Sequence, residues 1–320
     1  CLLEGLSQSS CSLTDVACQC ESAVLANTAL DCLMANCTMQ ESLEVSRYEA
    51  SECNYSHTSR SEQVVVIMSA LWSVSALFVL LRVVSKTMSR TFHTEDYIII
   101  SAIVLAAVVY ALAGLGLGSH VWDLADGALQ QILRLFYISE IIYVAALALT
   151  KTSIISMYLR IFDPHKHYRF ACHAALLFIL LPSMAVLLAT ILSCRPISYF
   201  WDRNPLQVPH GKCLNVVALA YANSGLAVAQ DIILIVLPVG MLWRLNISRR
   251  RKVLIALIFA VGGLGLVATI IRLRTLYVFG SLKDPTWDYV PVVYWTTVEL
   301  AAGILCACLP ALRILVEKIF

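Results

Sequence analysis

Charge is scarce in this chain. Of its 320 residues only 14% are charged while 59% are hydrophobic, a balance that a soluble domain of this length rarely reaches and that puts membrane proteins first. Enzyme signatures are missing too. There is no phosphate-cradling P-loop, no His-Glu-x-x-His, no Gly-x-Ser-x-Gly, and no Gly-x-Gly-x-x-Gly that opens a helix after a strand, so the chain does not read as an enzyme. Basic residues never form a broad patch interleaved with aromatics, which excludes nucleic acid as the expected partner. The last long apolar stretch, Tyr289 to Pro310, contains no lysine before Lys318; a retinal Schiff base has nowhere to form.

The cysteines are distributed unevenly. Seven fall at Cys1, Cys11, Cys18, Cys20, Cys32, Cys37 and Cys53, and the other five at Cys172, Cys194, Cys213, Cys306 and Cys308. A dense cluster in a short polar segment points to an oxidising compartment and a disulfide framework. The segment has no C-x-x-C and no histidine among its cysteines, so zinc is the weaker reading. Asn36-Cys37-Thr38 and Asn54-Tyr55-Ser56 fit the N-glycosylation pattern. Opening at Cys1 with no apolar leader, and with an odd cysteine count, the chain reads as trimmed, its secretory signal and one disulfide partner removed.

After Glu62 the character changes. Seven apolar spans follow, at roughly 63–84, 97–118, 136–159, 171–193, 215–242, 253–278 and 289–316, each near the ~20 residues that a membrane helix needs. The expected fold is an all-α membrane protein, a seven-helix bundle over 61–320 behind a small extracellular helical domain over 1–60. Thirteen Lys and Arg residues then border the inner span ends and five the outer ones, which orients the N-terminus outside and the C-terminus in the cytoplasm. The inner set includes Arg82, Arg160 and the run Arg249, Arg250, Arg251 and Lys252. Cys194 and Cys213 flank one outer loop, where a disulfide is expected in place of two free, buried cysteines. The glycines of Gly114-Leu-Gly116-Leu-Gly118 and Gly262-Gly263-Leu-Gly265 lie within spans and are expected to let helices approach closely.

Ionisable residues at membrane depth are costly and are default site candidates. They are Glu140 and Lys151 in the third span, Asp231 in the fifth, Arg272 and Arg274 in the sixth, and Glu299 in the seventh. Structural pairing within the bundle is the first expectation, with Lys151 or Arg272 meeting Asp231 or Glu299 in a combination left open. Glu140 and Arg274, toward the outer side, are expected to snorkel.

The gaps between the first seven cysteines hold nine, six, one, eleven, four and fifteen residues. In this, and in Cys18-Gln19-Cys20, the N-terminal segment resembles the CFEM domain of fungal extracellular membrane proteins, matching its second to eighth cysteines. The resemblance implies the bridges Cys1–Cys32, Cys11–Cys18 and Cys20–Cys53, leaving Cys37 partnerless. It also implies a possible haem-iron ligand at Asp15, whose competing role is to cap a helix after Thr14.

The remainder is similar to the fungal Pth11-type receptors, a rhodopsin-like seven-helix family. The resembling stretches are Gly116-Leu-Gly118-Ser-His120-Val-Trp122, Lys151-Thr-Ser153 onward to Tyr158-Leu-Arg160, Cys194-Arg-Pro through Trp201-Asp202 with Gly211-Lys-Cys213, and Cys308-Leu-Pro310-Ala-Leu-Arg313. This implies a plasma-membrane sensor of surface or host cues that signals to a heterotrimeric G-protein α subunit and cyclic AMP, with Tyr158, Arg160 and Arg249–Lys252 as the cytosolic coupling residues and an unknown extracellular ligand. A haem- or iron-handling membrane protein and a secondary transporter are the alternatives.

Overall fold

The computed structural model describes residues 1–89, 97–161, 166–202, 211–242, 249–278 and 284–319, with helix stretches beside the gaps described as backbone. Four short helices come first: α1 (Leu2–Gln8), α2 (Val16–Glu21), α3 (Ala23–Asn36) and α4 (Met39–Glu52). Their starts are chemically specified. Asp15 accepts the Cys18 N–H at the head of α2, Ser22 does the same for Leu25 in α3, and Thr38 with Glu41 forms a reciprocal capping box on α4. Little apolar material is buried here: Leu6, Leu25, Leu43 and Ala50. Such a core cannot hold sixty residues, and three disulfides supply the rest, joining Cys1 to Cys32, Cys11 to Cys18 and Cys20 to Cys53.

The spanning helices are α5 (Ser61–Ser89), α6 (Tyr97–Gly114), α7 (Ala128–Ile161), α8 (Lys166–Ile191), α9 (Val216–Leu242), α10 (Arg249–Val278) and, after the single turn α11 (Pro285–Asp288), α12 (Val290–Ile319). Six of them are long and apolar enough to cross a membrane, and α6, with 18 residues, completes the seven at the short end of spanning length. Each packs on its neighbour in chain order, and α12 closes the ring against α5. Within it α7 also touches α9 and α12, which makes it the central helix. Outward faces carry exposed Val66, Leu80, Leu181 and Val236, apolar surface that only lipid covers favourably. The bundle is therefore a multi-pass membrane domain.

Several boundaries differ from those expected. The second span stops at Gly114 because Gly116 and Gly118 adopt φ of +109° and +94°, a left-handed conformation that breaks the helix. Gly118 does not serve helix packing. A Cβ there would lie 2.9 Å from the Ser61 nitrogen, so its smallness admits the chain entering α5. The third helix begins two turns early, at Ala128, and the fourth at Lys166, since polar residues such as Gln130, Gln131 and His167 continue a helix beyond the apolar core at no cost. Gly265 does serve helix approach, with its missing Cβ 3.4 Å from Ala302. Arg82 is not a loop charge: it is buried and donates to the Ala307 carbonyl of α12.

Candidate functional site

Helix α7 presents Phe136, Glu140 and Tyr143 at spacings of four and three, which stack on one helical face; Lys151 lies about two turns further on. Along that face the buried polar groups resolve into three contacts. At the end nearest the N-terminal domain, Asn223 of α9 donates to Glu140 at 3.4 Å. In the middle, Tyr143 donates to Glu299 of α12 at 2.8 Å, and Arg272 of α10 lies 3.4 Å from the same carboxylate oxygen and 4.9 Å above the Tyr143 ring. Deeper, Lys151 meets Asp231 at 2.9 Å, with further bonds to the Ala227 carbonyl and Gln230, while Thr269 donates to Asp231. Of the combinations left open by the sequence, the packing selects Lys151–Asp231 and Arg272–Glu299. Arg274, in contrast, is exposed, as a snorkelling side chain would be.

Glu140 corrects the expectation that it snorkels. It lines a cavity of about 350 Å³ between the bundle and the N-terminal domain. Leu30, Met39 and Leu43 of that domain form its roof, Trp72 and Phe136 belong to its walls, and Arg272 and Thr297 lie toward the polar network. The volume lies in the range of small-molecule sites. A second cavity of about 60 Å³ touches Lys151, Asp231 and Glu299. The Arg272–Glu299 pair thus separates the two spaces: Arg272 faces the larger, Glu299 the smaller.

The roof is held by contacts that the sequence reading did not foresee. His120 lies in the loop after α6, stacked between Trp122 at 4.6 Å and Trp287 at 4.1 Å, and Arg60 covers the outer face of Trp287. Its Nδ1 is 2.6 Å from Asp284, and Nε2 faces the hydroxyls of Ser56 and Thr58. A carboxylate only accepts, so Nδ1 carries the proton toward Asp284. Nearby, His57 contacts Asp123 at 2.6 Å and Arg47 contacts Asp126 at 2.7 Å. The chain between α4 and α5, the α6–α7 loop and the start of α11 therefore converge on one aromatic stack. The only hint in the sequence was the stretch Gly116 to Trp122, quoted for its resemblance alone.

The remaining candidates fall in three places. Cys194 and Cys213 are bonded as register partners within a two-residue antiparallel pair, β1 (Cys194–Arg195) with β2 (Lys212–Cys213). This loop packs Phe200 and Trp201 against Tyr137 of α7. Asp15 is exposed and its Oδ1 accepts the Cys18 N–H at 3.1 Å, the capping role; its neighbours Leu13 and Val16 lie open at the surface. Asn36 and Asn54 are exposed and Cys37 is free. Tyr158 is not a surface residue: it is buried among Ile155 and Cys172, with its hydroxyl 3.4 Å from the Leu234 carbonyl. Arg160 is the penultimate residue of α7 and Arg249–Lys252 opens α10 at the end away from the N-terminal domain; their side chains lie outside the described residues. Among the described residues no His, Cys, Asp and Glu cluster is arranged to hold a metal ion.

Comparison with known proteins agrees with this division. The fungal rhodopsin domain matches residues 81–318 and the CFEM domain residues 1–54. A SAT4 family membrane protein of Emericella nidulans is 34% identical over 62% of this chain and 49% of its own length. The polyenoic acids biosynthesis gene cluster protein Ba17b of Metarhizium anisopliae is 27% identical over 84% of this chain and 78% of its own. Receptor GIN3 of Arthrobotrys oligospora is 24% identical over 61% of this chain and 45% of its own. The chain thus spans about half the length of the first and third of these relatives. No solved structure matches.

Proposed function

We infer a receptor from one premise, that this chain belongs to the fungal rhodopsin domain family and carries a CFEM domain ahead of it. The chain is proposed to sit in the plasma membrane with the CFEM domain outside, to sense an extracellular, surface or host cue, and to signal to a heterotrimeric G-protein α subunit and cyclic AMP. The observation that carries this reading is the cavity, because its roof belongs to the outer domain and its polar side reaches Arg272, whose partner Glu299 joins α12 to α7 and α10. A ligand that moves the roof or contacts Arg272 would shift those three helices relative to one another, which is the differential interaction that a two-state receptor requires. The name Receptor GIN3, borne by one relative, supports the class.

The coupling surface is proposed at the opposite end, on Arg160 and the basic run Arg249–Lys252. Its test is co-purification of the protein with Gα subunits of its own organism, beside a variant with Arg249, Arg250, Arg251 and Lys252 changed to Glu. Nucleotide-sensitive capture that the variant loses while still reaching the cell surface is the expected result. Absence of capture in every nucleotide state would remove G-protein coupling from the reading.

A second reading keeps haem at the CFEM domain. Among the described residues only one oxygen of Asp15 is engaged, and exposed Leu13 and Val16 flank it, so a ferric iron could take the other oxygen. A Soret shift on hemin titration that Asp15→Ala abolishes would support it. An unchanged titration in the variant would leave Asp15 as a helix cap.

A further inference from the structure

The charges on the cavity wall do not balance. Among the described lining residues Glu140 and Asp288 are acidic and Arg272 is the one base. Arg272 is already held by Glu299 and by the face of Tyr143. Its Nε and Nη2 are enclosed and make no hydrogen bond among the described residues, so these two nitrogens do not open onto the cavity. Glu140 has a single amide donor, Asn223, at 3.4 Å. A carboxylate uses up to about four acceptor sites when fully satisfied, which leaves most of this one directed to whatever fills the space.

The rest of the wall suits a cation with an apolar body. Phe136, Tyr221 and Tyr289 line the same cavity as Glu140, and Phe136 and Tyr289 tilt against each other with ring centres 5.7 Å apart. Aromatic faces beside a carboxylate attract an ammonium group through both the ring quadrupole and the full charge. Toward the roof the lining is mainly aliphatic, with Leu30, Met39, Leu43 and Leu112 beside the hydroxyls of Ser42 and Ser46, and methionine adapts its shape to irregular apolar ligands.

We propose that the cavity beneath the CFEM domain binds a small lipophilic amine, its ammonium group held by Glu140 amid the aromatic rings and its apolar body under Met39 and Leu43. An anion would instead meet two carboxylates and an arginine already paired. A neutral alcohol would leave the excess acid uncompensated. This deepens the receptor reading by naming the ligand class, and the test below reads binding alone. Loss of Gα capture therefore leaves it standing, and loss of amine binding leaves the receptor reading standing.

Three probes of one shape separate the possibilities: phenylbutylamine, phenylbutanol and phenylvalerate, titrated against the full chain in lipid nanodiscs while thermal unfolding is followed. The amine is expected to raise the midpoint by several degrees in a saturable way, with the alcohol weaker and the carboxylate without effect. Glu140→Gln keeps the amide contact, removes the charge, and is expected to abolish the preference for the amine. Ala220→Phe fills the cavity from α9 and is expected to abolish the response to all three. If Glu140→Gln does not fold, Asp288→Asn provides the same reading at the second acid, with a reduced amine shift expected. A carboxylate that stabilises as well as the amine, an amine shift unchanged in the charge-removing and cavity-filling variants, or no saturable amine shift in the parent protein each overturns the proposal.

Discussion

The CFEM domain and the helical bundle solve the same problem by opposite means. The domain has four short helices, a handful of buried apolar side chains and three disulfides. Several of its larger apolar residues, Leu2, Leu3 and Leu13 among them, stay exposed. The bundle has long helices, close packing around α7 and α12, and ion pairs within it. Its single disulfide, Cys194–Cys213, lies in a loop at one end. In water a short chain lacks the surface to bury, so covalent links limit its unfolded state. In lipid each helix satisfies its own backbone, and packing with a few polar contacts selects how the helices meet.

The strongest way to break the comparison is to strike the bundle where it depends on charge. Asp231→Ala leaves Lys151 buried without its carboxylate, a loss expected at about 3–5 kcal/mol. Thermal unfolding in nanodiscs reads it, and exchanging the two residues, Lys151→Asp with Asp231→Lys, should recover part of the loss. Arg274→Ala, at an exposed position, should stay within about 0.5 kcal/mol. A drop for Arg274→Ala as large as that for Asp231→Ala would mean that burial is not what makes these charges matter.

Cys20→Ser strikes the other region alone. It opens a link spanning 33 positions and is expected to cost the domain about 2–5 kcal/mol. Limited proteolysis should then cut within residues 1–53 while the bundle keeps its helical signal. Joint unfolding of both regions would show that the domain is part of the bundle's own core and not a roof above it.

The junction comes third. His120→Ala removes two ring stacks and the contact with Asp284, worth roughly 2 kcal/mol together. Protease access to residues 54–60 should rise several-fold with neither region unfolded, and Gly118→Ala, which inserts a Cβ against Ser61, should act in the same direction.

The smallest effect is one of pH. The Thr38 backbone N–H and hydroxyl hold the Glu41 carboxyl below its ordinary range. A depressed folded-state pKa contributes stability that is present above the unfolded value and lost as pH falls through the folded value. Glu41→Gln keeps an acceptor for the capping box but should flatten that acid-side decline, as read by circular dichroism of α4 unfolding. A decline of unchanged slope would place the acid sensitivity elsewhere.

By itself the sequence determined an all-α membrane protein behind a disulfide-rich N-terminal region, and with them the two chemical styles of stabilisation. Hydropathy and cysteine spacing are read along one dimension, and the solvent around each segment follows from composition. The cysteine pairs of the N-terminal domain were accessible through resemblance, and the Cys194–Cys213 pair through the sidedness expected of the loops. Only the tertiary structure decided that Lys151 meets Asp231 while Arg272 meets Glu299, that Glu140 turns into a cavity, and that Tyr158 points inward. It alone brought His120, Asp284 and Trp287 together. Those outcomes depend on the rotation of each helix about its axis and on which loops meet at one end of the ring. Many small packing contacts set both, and no single residue pattern along the chain records them.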